Sequence, residues 1–125
     1  MRQRSTHPLP LREARVLATV KEYQGEGLDP SANAIALTLR GDYALERYGY
    51  LKMYGTLRSY SSRKIKTMVA SLLKKGYLSD YAPEPFVERY LLLTPRGEAI
   101  AEALLSKRLK EKPRPKNIPL FNERN

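Results

Sequence analysis

The chain has 125 residues, no cysteine and a formal charge of +10, with an isoelectric point near 9.9. That length suits one small domain with a modest core, and the missing cysteines exclude disulfides and thiolate zinc sites while permitting a reducing compartment. No apolar run approaches the roughly 20 residues needed to span a bilayer, and the opening Met-Arg-Gln-Arg-Ser-Thr-His-Pro lacks the apolar centre of a signal peptide, so the expectation is a soluble, intracellular, cytoplasmic protein with no membrane partner and a polyanion as its first candidate ligand.

Residues 1–9 are polar and broken by proline, and read as a flexible arm. Pro10 suits the opening of a helix to about Tyr23, with Ala14, Leu17, Ala18 and Val20 inward and Gly25 and Gly27 ending it. Asp29 followed by Pro30 predicts the entry of a second helix to Leu39, burying Ala32, Ile35, Ala36 and Leu39 before Gly41. Between Asp42 and Gly55 two glycines interrupt an aromatic-rich stretch containing Tyr43, Leu45, Tyr48, Tyr50, Leu51 and Tyr54, which predicts a short helical turn and a structured loop.

The segment from Ser61 to Gly97 carries the clearest pattern. Ile65, Met68, Val69, Leu72 and Leu73 fall at i, i+3, i+4, i+7 and i+8, one stripe of a 3.6-residue helix, while Arg63, Lys66, Thr67 and Lys74 point elsewhere. Ser61 or Ser62 suits the N-cap and Gly76 the left-handed stop. Tyr77 to Tyr81 and Arg89 to Leu93 are rich in strand formers on either side of the proline-containing Ala82 to Glu88, so a hairpin follows the helix. Pro95 after Thr94 opens a last helix through about Lys110, with Ile100, Ala101, Leu104 and Leu105 inward; Pro113, Pro115 and Pro119 stop it. The order predicts a mainly α chain with a small β-hairpin wing, a winged helix-turn-helix over residues 10–110, followed by a basic disordered tail at 111–125 with Ile118, Leu120 and Phe121 as isolated apolar points.

The charge is uneven. Ser61 to Tyr81 is net +4 and Lys107 to Lys116 net +5, whereas Leu11 to Pro30 is −1. Free amides in the first turn of the Ser-capped helix, with its positive terminus, suit a phosphate oxygen, and Arg58, Arg63, Lys64 and Lys66 surround that turn with cations. Ordinary solvated charge is the alternative for any one of them. Catalytic chemistry is not legible: His7 is the only histidine and sits in the arm, no phosphate-binding lysine loop occurs, and Glu84 with Glu88 read as surface charges or partners for Arg89. Tyr77 and Tyr90 read as packing residues, whereas Phe86, between Pro85 and Val87 in the turn, either folds back on the hairpin or touches a ligand.

From Val16 to Gly97, about two thirds of the chain, the sequence resembles the RQC domain, the winged-helix module that follows the helicase core in RecQ-family DNA helicases. The resemblance is carried by LRGDYALERYGYLKMYG at Leu39 to Gly55, then by IKTMVASLLKKGYL and LLLTPRG. It departs from full-length RecQ proteins in lacking helicase motifs and the cysteine-rich zinc element. The resemblance implies binding to duplex, forked or junction-containing DNA, with the wing as a wedge at a duplex end. The combined expectation is a non-enzymatic, cofactor-free DNA-binding protein, a monomer rather than a dimer, with Arg58, Ser61, Ser62, Arg63, Lys64, Lys66, Thr67 and Arg89 at the DNA, Tyr81 and Phe86 as the wedge, and a helicase or nuclease as a further partner. Two alternatives stay open: a dimeric sequence-specific regulator using the last helix to dimerise, and a protein-interaction winged helix that recruits a repair enzyme.

Overall fold

The computed structural model describes residues 9–42, 51–85 and 88–111, the last four as backbone only. Four helices, α1 (Leu11–Gly25), α2 (Ala32–Arg40), α3 (Ser62–Lys75) and α4 (Pro95–Glu111), enclose a two-stranded antiparallel hairpin, β1 (Leu78–Tyr81) and β2 (Tyr90–Leu93), between α3 and α4. This is the expected winged helix-turn-helix topology, mainly helical with one small hairpin. Residues 1–8, 43–50, 86–87 and 112–125 lie outside the described residues, and with them the expectations for the arm up to residue 8, His7, Tyr43, Leu45, Tyr48, Tyr50, Phe86, Ile118, Leu120 and Phe121. Leu9, expected in that arm, is instead buried in the core, an apolar side chain packed with the interior. No helix among the described residues is long and apolar enough to cross a membrane.

The core is built around α1. Ala14, Val16, Leu17, Ala18, Thr19, Val20 and Tyr23 are all buried, more than one stripe of a helix, because α2, α3, α4 and β2 all pack on it. Thr19 satisfies its hydroxyl by donating to the Arg15 carbonyl at 2.8 Å, and the hydroxyls of Tyr23 and Thr38 share a 2.5 Å hydrogen bond inside the core. These bonds let polar atoms enter the interior without an unmet partner. Ile35, Ala36 and Leu39 of α2, Ile65, Met68, Val69 and Leu72 of α3, and Ile100, Ala101 and Leu104 of α4 complete the interior; Ala32, Leu73 and Leu105 lie half-buried at its edge.

The start of α2 corrects the sequence reading. Its N-cap is Ser31, whose Oγ accepts from the Ala34 amide at 3.1 Å, and not Asp29. Asp29 and Pro30 are engaged by the hairpin instead: the Tyr81 hydroxyl donates to the Asp29 carboxylate at 2.7 Å, the Leu91 amide donates to the Pro30 carbonyl at 2.8 Å, and Ser31 forms a bridge with Tyr90. The segment ahead of α2 therefore lies along β2 as a short third edge.

The junction of hairpin and α4 explains Leu-Thr-Pro-Arg-Gly residue by residue. Thr94 accepts from the Gly97 amide at 3.2 Å, which caps α4, and donates to the Gly76 carbonyl at 2.7 Å, tying that cap to the end of α3. Pro95 occupies the first helical position, where no amide is needed. Arg96 lies over the Tyr77 ring at 4.4 Å from its centroid and donates to the Lys75 carbonyl and the Tyr77 hydroxyl, each at 3.1 Å. Gly97 is pressed on the Tyr77 carbonyl so closely that a Cβ would stand 2.0 Å from that oxygen.

Candidate nucleic-acid interface

α3 is displayed by its own local chemistry. The Ser61 Oγ accepts from the Lys64 amide at 3.0 Å at one end, and Gly76 closes the other at φ 87°. The buried stripe of Ile65, Met68, Val69 and Leu72 fixes the rotation of the helix and leaves Arg63, Lys64, Lys66, Thr67, Ala70, Lys74 and Lys75 exposed. The helix contains no acidic residue. Arg63, Lys64, Lys66 and Lys74 have no carboxylate partner among the described residues; Lys75 reaches Glu13 at 3.4 Å. Cations in a first turn oppose the positive end of the helix dipole, so this arrangement is mildly unfavourable to the helix in isolation and favourable to any anion placed there.

The turn ahead of α3 is held from behind. Arg40 donates to the Tyr60 carbonyl and to Asp42, and the Glu22 carboxylate accepts from the amides of Lys52 and Met53 at 2.9 and 3.2 Å. Gly41 and Gly55, at φ 71° and 74°, approach so closely that a Cβ on Gly41 would lie 3.2 Å from the Gly55 Cα. Arg58 lays its guanidinium over both glycines while remaining exposed. Arg40 and Glu22 thus position the interface without belonging to it. They were not legible in the sequence, since each acts through a backbone group far along the chain; the only trace was the pairing of Leu-Arg-Gly with Tyr-Gly.

The structure gathers most of the anticipated contact residues. Ser61, Arg63, Lys64, Lys66 and Thr67 share the first two turns of α3, with Ser62 half-buried among them. Lys64 reaches over the Tyr60 ring at 6.0 Å, and the Thr67 hydroxyl donates to the Arg63 carbonyl at 3.0 Å, which leaves only its acceptor capacity for a ligand. Lys66 and Arg89 line one cleft between α3, the start of α2 and the hairpin, together with the carboxylates of Asp80 and Glu88, which balance their charge there. Arg89 is not held by Glu84 or Glu88, as one reading of the sequence allowed. Its Nε donates to the Asp80 carboxylate at 2.9 Å, because Asp80 pairs across the ladder with Leu91, two residues from Arg89, which puts Asp80 and Arg89 on the same face as diagonal neighbours.

Tyr81 stands apart from α3. It is 37 % exposed, its ring centroid lies 5.8 Å from that of Tyr90, and its hydroxyl is tied to Asp29. The Asp29 carboxylate, by accepting that proton, raises the Tyr81 phenol above its ordinary value. Tyr77 is buried and Tyr90 half-buried, in keeping with packing roles. Phe86, the other anticipated wedge residue, lies outside the described residues. In comparisons with models of known protein families and with curated proteins, the chain gives no match.

Proposed function

We propose that the chain is a winged-helix DNA-binding protein of RQC type, without enzymatic activity of its own, that holds duplex ends, forks or junctions by their backbone phosphates. The observation that carries this reading is the outward face of α3, with Arg63, Lys64, Lys66 and Lys74 exposed, no acidic residue in the helix and two cations in its first turn. Such a surface neutralises phosphates without reading base edges, which makes binding tolerant of sequence. The hairpin, braced on Asp29 to Ser31, would set Tyr81 or Phe86 against a terminal base pair. Packing of Ile100, Ala101 and Leu104 against the body of the same chain supports a monomer over a regulator that dimerises through α4, since those side chains are already covered.

The test is equilibrium binding to blunt duplex, forked duplex, single strand and four-way junction across a salt series. Neutralising roughly four to six phosphates gives a slope of log affinity on log salt of about −4 to −5. Arg63→Ala and Lys66→Ala should weaken every duplex sequence alike. A slope near zero, or strong preference for one duplex sequence, would remove the reading.

A further inference from the structure

A second cleft, of about 500 Å³, runs along the flank of α3 away from the hairpin. One wall is α3 itself, with Ser61, Arg63 and Lys64 at its start; the other is the first turn of α1, with Arg12 and Glu13. In the sequence Arg12 is invisible as a ligand contact, because Glu13 beside it cancels its charge. The fold separates the two. The Glu13 side chain is only 12 % exposed and is held by Lys75 at 3.4 Å, whereas Arg12 is exposed and has no carboxylate partner among the described residues. The cleft therefore presents three cations from two helices, Arg12, Arg63 and Lys64, with its one carboxylate drawn inward. The Lys64 amide is taken by Ser61, and the amides of Ser62 and Arg63 in the same turn have no backbone partner among the described residues. Cations facing one another across a cleft repel, and a phosphate between them turns that repulsion into attraction while taking charge-assisted hydrogen bonds from both walls.

We propose that this cleft seats one backbone phosphate of bound nucleic acid between Arg12 of α1 and Arg63 and Lys64 of α3, so that Arg12 is a contact residue outside the helix-and-hairpin surface. The inference rests on the DNA-binding reading above. Its volume accommodates a phosphate with its adjoining sugar, and the Glu13 carboxylate keeps phosphate away from the Lys75 end. The backbone then crosses the start of α3 and passes onto α1, giving the protein a contact on the side opposite the hairpin.

The experiment is binding of a labelled blunt duplex to the full chain across a salt series, with Arg12→Ala, Arg63→Ala, the double variant and Lys52→Ala as the control for an exposed cation elsewhere. Arg12→Ala is expected to weaken binding about three- to tenfold and to make the salt slope shallower by about 0.9, one phosphate contact. If the two arginines share a phosphate, the double variant loses less than the product of the single losses. A single neutral methylphosphonate, moved along the duplex, should find one position that weakens the wild type and leaves Arg12→Ala unaffected. Thermal melting guards against a folding artefact: Arg12 sits in the first turn of α1, where a cation opposes the helix dipole, so its removal should leave the midpoint unchanged or slightly raised. Wild-type affinity and slope in Arg12→Ala, alongside weakened Arg63→Ala and Lys66→Ala, would overturn the cleft and leave the proposed function standing. Losses that multiply would overturn the shared seat. Wild-type binding by Arg63→Ala and Lys66→Ala as well would overturn the DNA-binding reading itself, and the cleft with it.

Discussion

Gly97 and Gly25 are both helical glycines, yet their surroundings predict opposite responses to an added methyl group. At Gly97 the new Cβ would meet the Tyr77 carbonyl oxygen at 2.0 Å and the Leu93 side chain at 3.3 Å, and the oxygen belongs to the backbone that sets β1 and cannot swing aside. At Gly25, the last residue of α1, nothing lies within 4 Å. Gly97→Ala should therefore destabilise the fold by about 2–3 kcal/mol through overpacking and lower the thermal midpoint by roughly 10 °C or more. Gly25→Ala should raise stability by about 0.5 kcal/mol by restricting the unfolded chain. Circular-dichroism melts of the two variants decide the matter, and equal midpoints would show that α4 can shift off Tyr77 at little cost. The same reasoning gives Arg58 a restricted place: its guanidinium is confined over Gly41 and Gly55, so it offers a phosphate less freedom of approach than Arg63, which stands clear on the open helix.

The hairpin is braced from outside its own sequence, and that brace is titratable. Asp29 raises the Tyr81 phenol pKa by holding its proton, so the contribution of this contact is complete below the ordinary tyrosine value near 10 and is lost as pH rises through the raised value in the folded state. Ultraviolet titration should show part of the tyrosine absorbance ionising at a lower pH in Asp29→Asn than in the wild type; superimposable curves would mean that the bond does not persist in solution. The wedge can be tested separately. With 2-aminopurine at a duplex end, the wild type should raise the fluorescence, and Phe86→Ala should still bind through α3 but leave the signal near that of free duplex; base-on-aromatic stacking is worth about 1–3 kcal/mol, enough to offset the opening of a terminal pair but not of a long duplex. If Phe86→Ala opens the end as the wild type does, Tyr81 is the remaining candidate. α3 and the hairpin were legible in the sequence because their signals are local: one apolar stripe, a serine cap, a glycine stop, strand formers around prolines. The entry to α2 was misread because Asp29 and Ser31 have equal capping chemistry, and what separates them is the hairpin's prior claim on Asp29 and Pro30. Val16 and Tyr23 escaped notice because α1 is covered on several sides, so its burial exceeds any single stripe. Among the site residues the α3 cluster was plain in the charge distribution, whereas the carboxylate that holds Arg89 depended on strand register, which composition does not carry.

The stretch from Lys107 to Lys116 carries net +5, most of it outside the described side chains. Truncation after Lys110 should lower DNA affinity and flatten its salt dependence while the thermal midpoint stays within a few degrees; a loss of cooperative unfolding would show that Leu120 or Phe121 belongs to the core. A two-stranded sheet this small has a different vulnerability, since each open strand edge is a template on which another chain can add. Here the edge of β2 is already occupied by the segment from Asp29 to Ser31, which runs straight into α2, and the outer edge of β1 is only four residues long and carries the charged Asp80. The contact that orients the hairpin thus also closes one side of it to further pairing, which leaves the short outer edge of β1 as the open edge of the described hairpin.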